Sequence, residues 1–70
     1  MKEVVANKVQ DLRNKMDLTQ EELAARVGVS RQTVIAIERG NYTPSVFLAL
    51  KIANAFRLPV EKIFHLSYEK

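Results

Sequence analysis

The sequence predicts an all-α domain, a single unit over residues 1–70, and three observations carry that expectation. Apolar residues recur at steps of three and four through most of the chain. Thr19, Ser30 and Ser45 each precede such a stretch, as helix-capping residues do. Gly28 and Gly40 then stand where two of the stretches stop. The helical core is expected over about residues 7–64, with 65–70 as an extended tail.

In chain order, Val5, Val9, Leu12 and Met16 fall on one face of a first helix. Thr19-Gln20-Glu21-Glu22 reads as a capping box opening a second, in which the Thr19 hydroxyl accepts from the Glu22 amide and the Glu22 carboxylate accepts from the Thr19 amide. Leu23, Ala24 and Val27 form its buried face and Gly28 stops it. Ser30 caps a third helix, with Val34 and Ile37 inward and Gly40 beyond its end. Helices two and three, joined by a short turn containing Gly28, have the spacing of a helix-turn-helix. After Asn41-Tyr42-Thr43-Pro44, Ser45 caps a fourth helix with Val46, Ala49, Ile52, Ala53 and Phe56 as its inner stripe. Pro59 suits the first turn of a short fifth helix reaching about Phe64. Phe64, Leu66 and Tyr68 then alternate as in a strand, for which Glu3-Val4-Val5 is the one candidate partner. A small two-stranded sheet joining the termini follows.

Composition narrows the function classes. The chain is 47% hydrophobic, carries a net charge of +3 and has no cysteine, so a disulfide framework and thiol chemistry are excluded. No apolar run approaches the roughly 18 residues that span a bilayer. The start, Met1-Lys2-Glu3-Val4-Val5, lacks a signal-peptide core because polar residues resume at Asn7. The expectation is a cytoplasmic protein without membrane attachment. The mild positive charge alone favours a nucleic-acid partner only weakly.

Catalysis finds little support. His65 is the one histidine and has no cysteine or carboxylate pair beside it, which is the pattern of an ordinary surface side chain. Glu21 and Glu22 suit the positive end of a helix. No glycine-rich phosphate loop occurs, and neither a metal site nor a cofactor is expected. The third helix is more informative. Its inward stripe leaves Arg31, Gln32, Ile35 and Arg39 outside. Arg31 and Gln32 occupy the first turn, where a recognition helix meets base edges in the major groove. Arginine can grip guanine O6 and N7, and glutamine can pair with adenine N6 and N7. The plain alternative is a solvated helix surface, but their place just after the cap of the second helix of the motif favours DNA. Ile35 either meets a thymine methyl or lies against a neighbouring helix, and the small Ala36 lies close to the groove. Gln20, Ser30, Thr33, Arg39, Asn41 and Tyr42 are placed for the flanking phosphates, contacts that position without reading sequence.

From Asn7 to Phe64 the chain resembles the Cro/cI-type helix-turn-helix regulators, the XRE-like or lambda-repressor-like family. The residues that carry the likeness are Leu18-Thr19-Gln20-Glu21-Glu22-Leu23-Ala24, Val27-Gly28-Val29-Ser30-Arg31-Gln32-Thr33-Val34, Ile37-Glu38-Arg39-Gly40, and Pro44-Ser45 before Leu48-Ala49-Leu50-Lys51-Ile52-Ala53. In size it is similar to the stand-alone dimeric members such as the cytolysin repressor. The resemblance implies five helices with the third in the major groove, and a DNA approach by Gln20, Arg31, Gln32, Thr33, Arg39, Asn41 and Tyr42. It also implies a partly buried ion pair between Arg13 and Glu38. Arg57 stands where the family often has glycine, Ile35 where it often has a polar side chain, and Phe47 on the outer face of helix four.

One recognition helix reads about four or five base pairs, too few to find one site in a genome, so a homodimer on a palindromic operator is expected. Phe47, Leu58, Val60 and Ile63 are candidates for its interface. With no segment to spare for an activating surface, a repressor is the favoured reading. The competing one is a DNA-binding antitoxin or phage-immunity module whose main partner is another protein. A nonspecific nucleoid protein would need more lysine and arginine.

Overall fold

Apolar side chains from four helices converge on one core. In the computed structural model, which describes residues 1–69, β1 (Lys2–Asn7) leads into α1 (Val9–Lys15), α2 (Gln20–Val27), α3 (Arg31–Glu38) and α4 (Val46–Phe56). A 3-10 turn over Val60–Lys62 then precedes β2 (Phe64–Glu69). Val9 of α1, Leu23, Ala24 and Val27 of α2, Val34 and Ile37 of α3, and Leu48, Ile52, Ala53 and Phe56 of α4 are buried together. Ile63 completes this cluster from the segment after the 3-10 turn.

Local chemistry sets the boundaries of the central helices. The Thr19 hydroxyl accepts from the Glu22 amide at 3.0 Å and the Glu22 carboxylate accepts from the Thr19 amide at 2.8 Å, closing the expected capping box. Gly28 ends α2 with φ +76°, a left-handed conformation that costs glycine nothing. Ser30 caps α3 and Ser45 caps α4, each hydroxyl accepting a backbone amide.

The termini pair as an antiparallel two-stranded sheet, from Lys2 opposite Glu69 to Asn7 opposite Phe64. This sheet corrects the first helix. Val5 pairs with Leu66 and belongs to β1, α1 begins only at Val9, and Met16 is exposed. The buried positions of α1 are Val9 and Arg13. The fifth helix is likewise replaced by the three-residue 3-10 turn, so four α-helices are present among the described residues. After it the Lys8 amide donates to the Ile63 carbonyl at 2.9 Å, and the chain turns directly into β2. On α4 the inner stripe starts at Leu48; Val46 is exposed, because the first turn leaving the Pro44 loop lies outside the core.

Arg57 ends α4 in the left-handed region, with φ 56° and ψ 41°. The sequence departs from the usual glycine there, and the arginine carries the strain of that conformation.

Candidate nucleic-acid interface

α3 is held from its inner side and from both ends. Val34 and Ile37 lock it into the core, each almost fully buried. At its start the Ser30 hydroxyl accepts the Thr33 amide at 3.2 Å and lies 3.1 Å from the Thr33 hydroxyl. At its end Asn7 Nδ2 donates to the Ile37 carbonyl at 2.9 Å. Asn7 Oδ1 meanwhile accepts the Val9 amide, so one side chain ties β1, α1 and α3 together. Sequence reasoning missed this residue. The available clue was an asparagine just before an apolar helical stretch, where a cap belongs.

Glu38, the last residue of α3, anchors the helix to α1. Arg13 Nε donates to Glu38 Oε2 at 2.8 Å, and the two side chains are only 11% and 4% exposed. A second guanidinium nitrogen of Arg13 donates to the Leu18 carbonyl at 2.8 Å. Gln20 Nε2 adds a bond to Glu38 Oε1 at 3.1 Å. Buried charge is thereby neutralised and hydrogen-bonded on both partners, as burial demands. Gln20, expected at a phosphate, has one donor committed to this network instead.

The outer face of α3 carries the residues with base-reading chemistry. Arg31 and Gln32 are exposed in the first turn, while Thr33, Ile35 and Ala36 are half-buried. Arg39, Asn41 and Tyr42 are exposed just beyond the helix. Among the described residues, no side-chain hydrogen bond or ion pair engages Arg31, Gln32 or Arg39. Two shallow concavities flank the helix. One, toward α1 and α2, is bordered by Gln10, Gln20, Arg31, Ile35, Glu38 and Arg39. The other, toward the loop after α3, is bordered by Ser30, Gln32, Thr33, Ala36 and Tyr42. All the sequence-selected DNA residues except Asn41 therefore border one of these two hollows. Gln10 of α1, which sequence reasoning passed over, joins the first.

The residues selected for an interface between copies are not brought together. Ile63 is fully buried in its own core, which removes it from any interface surface. Leu58 and Val60 are partly buried and pack against that core. Phe47 stays 73% exposed on α4, with Val46 and Leu50 exposed on the same helix and Lys51 Nζ 5.4 Å from its ring centroid.

Among the described residues no group of three or more metal-ligating side chains occurs, and no helix is long and apolar enough to cross a membrane.

Comparison with known proteins gives a consistent answer. The helix-turn-helix family model HTH_3 matches residues 9–63. The uncharacterized HTH-type transcriptional regulator YgzD of Bacillus subtilis strain 168 is 52% identical over 63 residues, 90% of this chain and 96% of that one. The cryptic phage CTXphi transcriptional repressor RstR of Vibrio cholerae is 34% identical over 83% of this chain and 52% of its own length. Among solved structures, the restriction-modification controller protein C.AhdI of Aeromonas hydrophila superposes with a TM-score of 0.73 at 33% identity, covering 77% of this chain and 82% of that one.

Proposed function

The chain belongs to the XRE-type helix-turn-helix family of DNA-binding transcriptional regulators, and from that premise we propose that it is a sequence-specific repressor acting as a homodimer on a palindromic operator, with α3 in the major groove. The observation that carries this reading is the contrast on α3 itself. Its inner face, start and end are fixed, while Arg31 and Gln32 stand exposed in its first turn without partners of their own. A rigid helix presenting unengaged donors loses little conformational freedom on binding. Arg31 reads guanine and Gln32 reads adenine, each contact contributing about 1–3 kcal/mol of discrimination. Ile35 and Ala36 lie over the bases between them and the far end of the site. Ser30, Thr33, Arg39, Asn41 and Tyr42 set the position on the phosphates.

The sign of regulation follows the phage repressor among the relatives. The dimer rests on the exposed apolar face of α4, where Val46, Phe47 and Leu50 lack a cover within the chain. Leu58 and Val60 have only the part of their surface that the core leaves open to offer such an interface. Two copies on a two-fold axis place half-sites about 34 Å apart, one turn of DNA.

The test is selection of bound duplexes from a random pool at fixed salt, with wild type and with Arg31→Ala plus Gln32→Ala. A palindromic motif with half-sites one turn apart, lost in the double variant, is the expected result. Recovery of no motif, or of one indifferent to the substitutions, rejects the assignment and favours a module whose main partner is a protein.

A further inference from the structure

Ile35 is half-buried, yet it is absent from the apolar side chains that pack against the core, which are Leu12, Val29, Ala55, Leu58, Val60 and Phe64. Its inward neighbours Val34 and Ile37 fill the core without it. What Ile35 borders instead is the open hollow it shares with Arg31, one helical turn earlier on the same face. Every other side chain on that rim is polar or charged: Gln10, Gln20, Glu38 and Arg39. The carboxylate among them is already engaged, since Glu38 accepts from Arg13 through both oxygens and from Gln20 through one. Among the described residues the Arg31 side chain makes no hydrogen bond or ion pair, and Ile35 has no apolar neighbour on the rim. A ligand that completes this hollow must supply paired acceptors and, beside them, an apolar group.

In the major groove those are the O6 and N7 of guanine and the 5-methyl of a pyrimidine. One turn of helix is about 5.4 Å and stacked bases repeat at about 3.4 Å, so the two contacts fall within two base pairs of each other. We propose that Ile35 reads a 5-methylpyrimidine within two base pairs of the guanine gripped by Arg31. Thymine and 5-methylcytosine both present that methyl. The inference rests on α3 lying in the major groove, the reading proposed above.

The test starts from the motif selected out of random duplexes, with the pool used both unmethylated and methylated at CpG. Around the guanine whose preference is lost on Arg31→Ala, each thymine is replaced by uracil and each 5-methylcytosine by cytosine. These changes remove only the methyl. At one position within two base pairs, wild type binds the demethylated duplex about four-fold more weakly, as expected for one buried methyl-sized group. Ile35→Ala binds the methylated and demethylated forms equally. The position identifies the source: an effect of uracil means thymine, an effect of cytosine means 5-methylcytosine. A motif that depends on Arg31 but shows no methyl effect at any such position, or a methyl effect that persists undiminished in Ile35→Ala, overturns this inference and leaves the operator assignment standing. Absence of any motif from either pool overturns the operator assignment itself.

Discussion

The α2–α3 pair and the segments that bring the two termini together are built by different means. In the first, the start and end of α2 and the start of α3 have their causes within three residues: the Thr19–Glu22 box, the left-handed Gly28, the Ser30 cap. In the second, the local bond from the Val9 amide to Asn7 is joined by causes at the other end of the chain. α1 starts at Val9 because Asn7 pairs with Phe64 and the Lys8 amide donates to the Ile63 carbonyl. The DNA-facing helix thus rests on locally encoded geometry, while its far end is secured by long-range bonds from Asn7 and Arg13. Recognition needs both. The local signals shape α3, and the distant ones stop it from shifting.

The largest effect should come from cutting the bond between the two regions. Glu38→Ala leaves the Arg13 guanidinium buried with only the Leu18 carbonyl for company. Breaking one side of a buried ion pair costs about 3–5 kcal/mol, against a total stability of about 5–15 kcal/mol for a typical domain. Urea unfolding at neutral pH should therefore show a variant close to the edge of folding. A loss below about 1 kcal/mol, the range of exposed pairs, would mean that α3 is not held through Glu38.

A smaller effect, of opposite sign at the ends of α2 and α4, is expected where these helices stop in the left-handed conformation. Gly28 at φ +76° and Arg57 at φ 56° adopt nearly the same conformation. An ideal Cβ at Gly28 would sit an ordinary 3.5 Å from Lys51 Nζ, so the cost of Gly28→Ala is in the backbone and not in crowding. Arg57→Gly should stabilise by about 1 kcal/mol and Gly28→Ala should destabilise by about as much. Thermal unfolding separates these, since about 1 kcal/mol moves the midpoint of a domain this size by roughly 4–8 °C. Equal and same-signed shifts would show that left-handed strain is not what distinguishes the two ends.

The same division explains what the sequence made legible. The capping box, the Ser30 and Ser45 caps and the Gly28 stop each involve neighbours along the chain, and each lies where the residues indicate. The terminal sheet was legible too, because Phe64, Leu66 and Tyr68 change the period from helix to strand. Val5 misled because its spacing to Val9 and Leu12 fits a helix, while its pairing with Leu66 is invisible without the fold. Pro59 signals a helix start equally well for one turn or three, and only the burial of Ile63 ends it after Lys62. That same burial removes Ile63 from the outer surface, which hydrophobicity alone could not foretell. On the DNA side, the residue types on α3 were readable. Gln20's bond to Glu38 and Gln10's place on the rim depend on how three helices meet.

The smallest effect lies wholly within the α2–α3 pair and is read through pH. The Thr19 backbone amide, and then its side chain, hydrogen-bond Glu22 and hold its carboxyl below the ordinary value of 4.5, with Arg26 adding a weaker pull against some desolvation. A carboxylate whose folded pKa is depressed contributes stability that is fully present above its unfolded pKa. That contribution disappears as pH falls through the lower folded value. Glutamine at this position can still accept the Thr19 amide but carries no charge. Wild type should therefore be slightly more stable than Glu22→Gln at pH 7, and the gap should close as the pH drops from about 4.5 downward. Asn7→Ala, tied to uncharged bonds in the other region, should keep the same gap to wild type across that range. Parallel urea titrations at pH 7 and pH 3 decide it. A Glu22→Gln gap that is unchanged between them would place the value of the box in its geometry alone, with the charge contributing nothing to the start of α2.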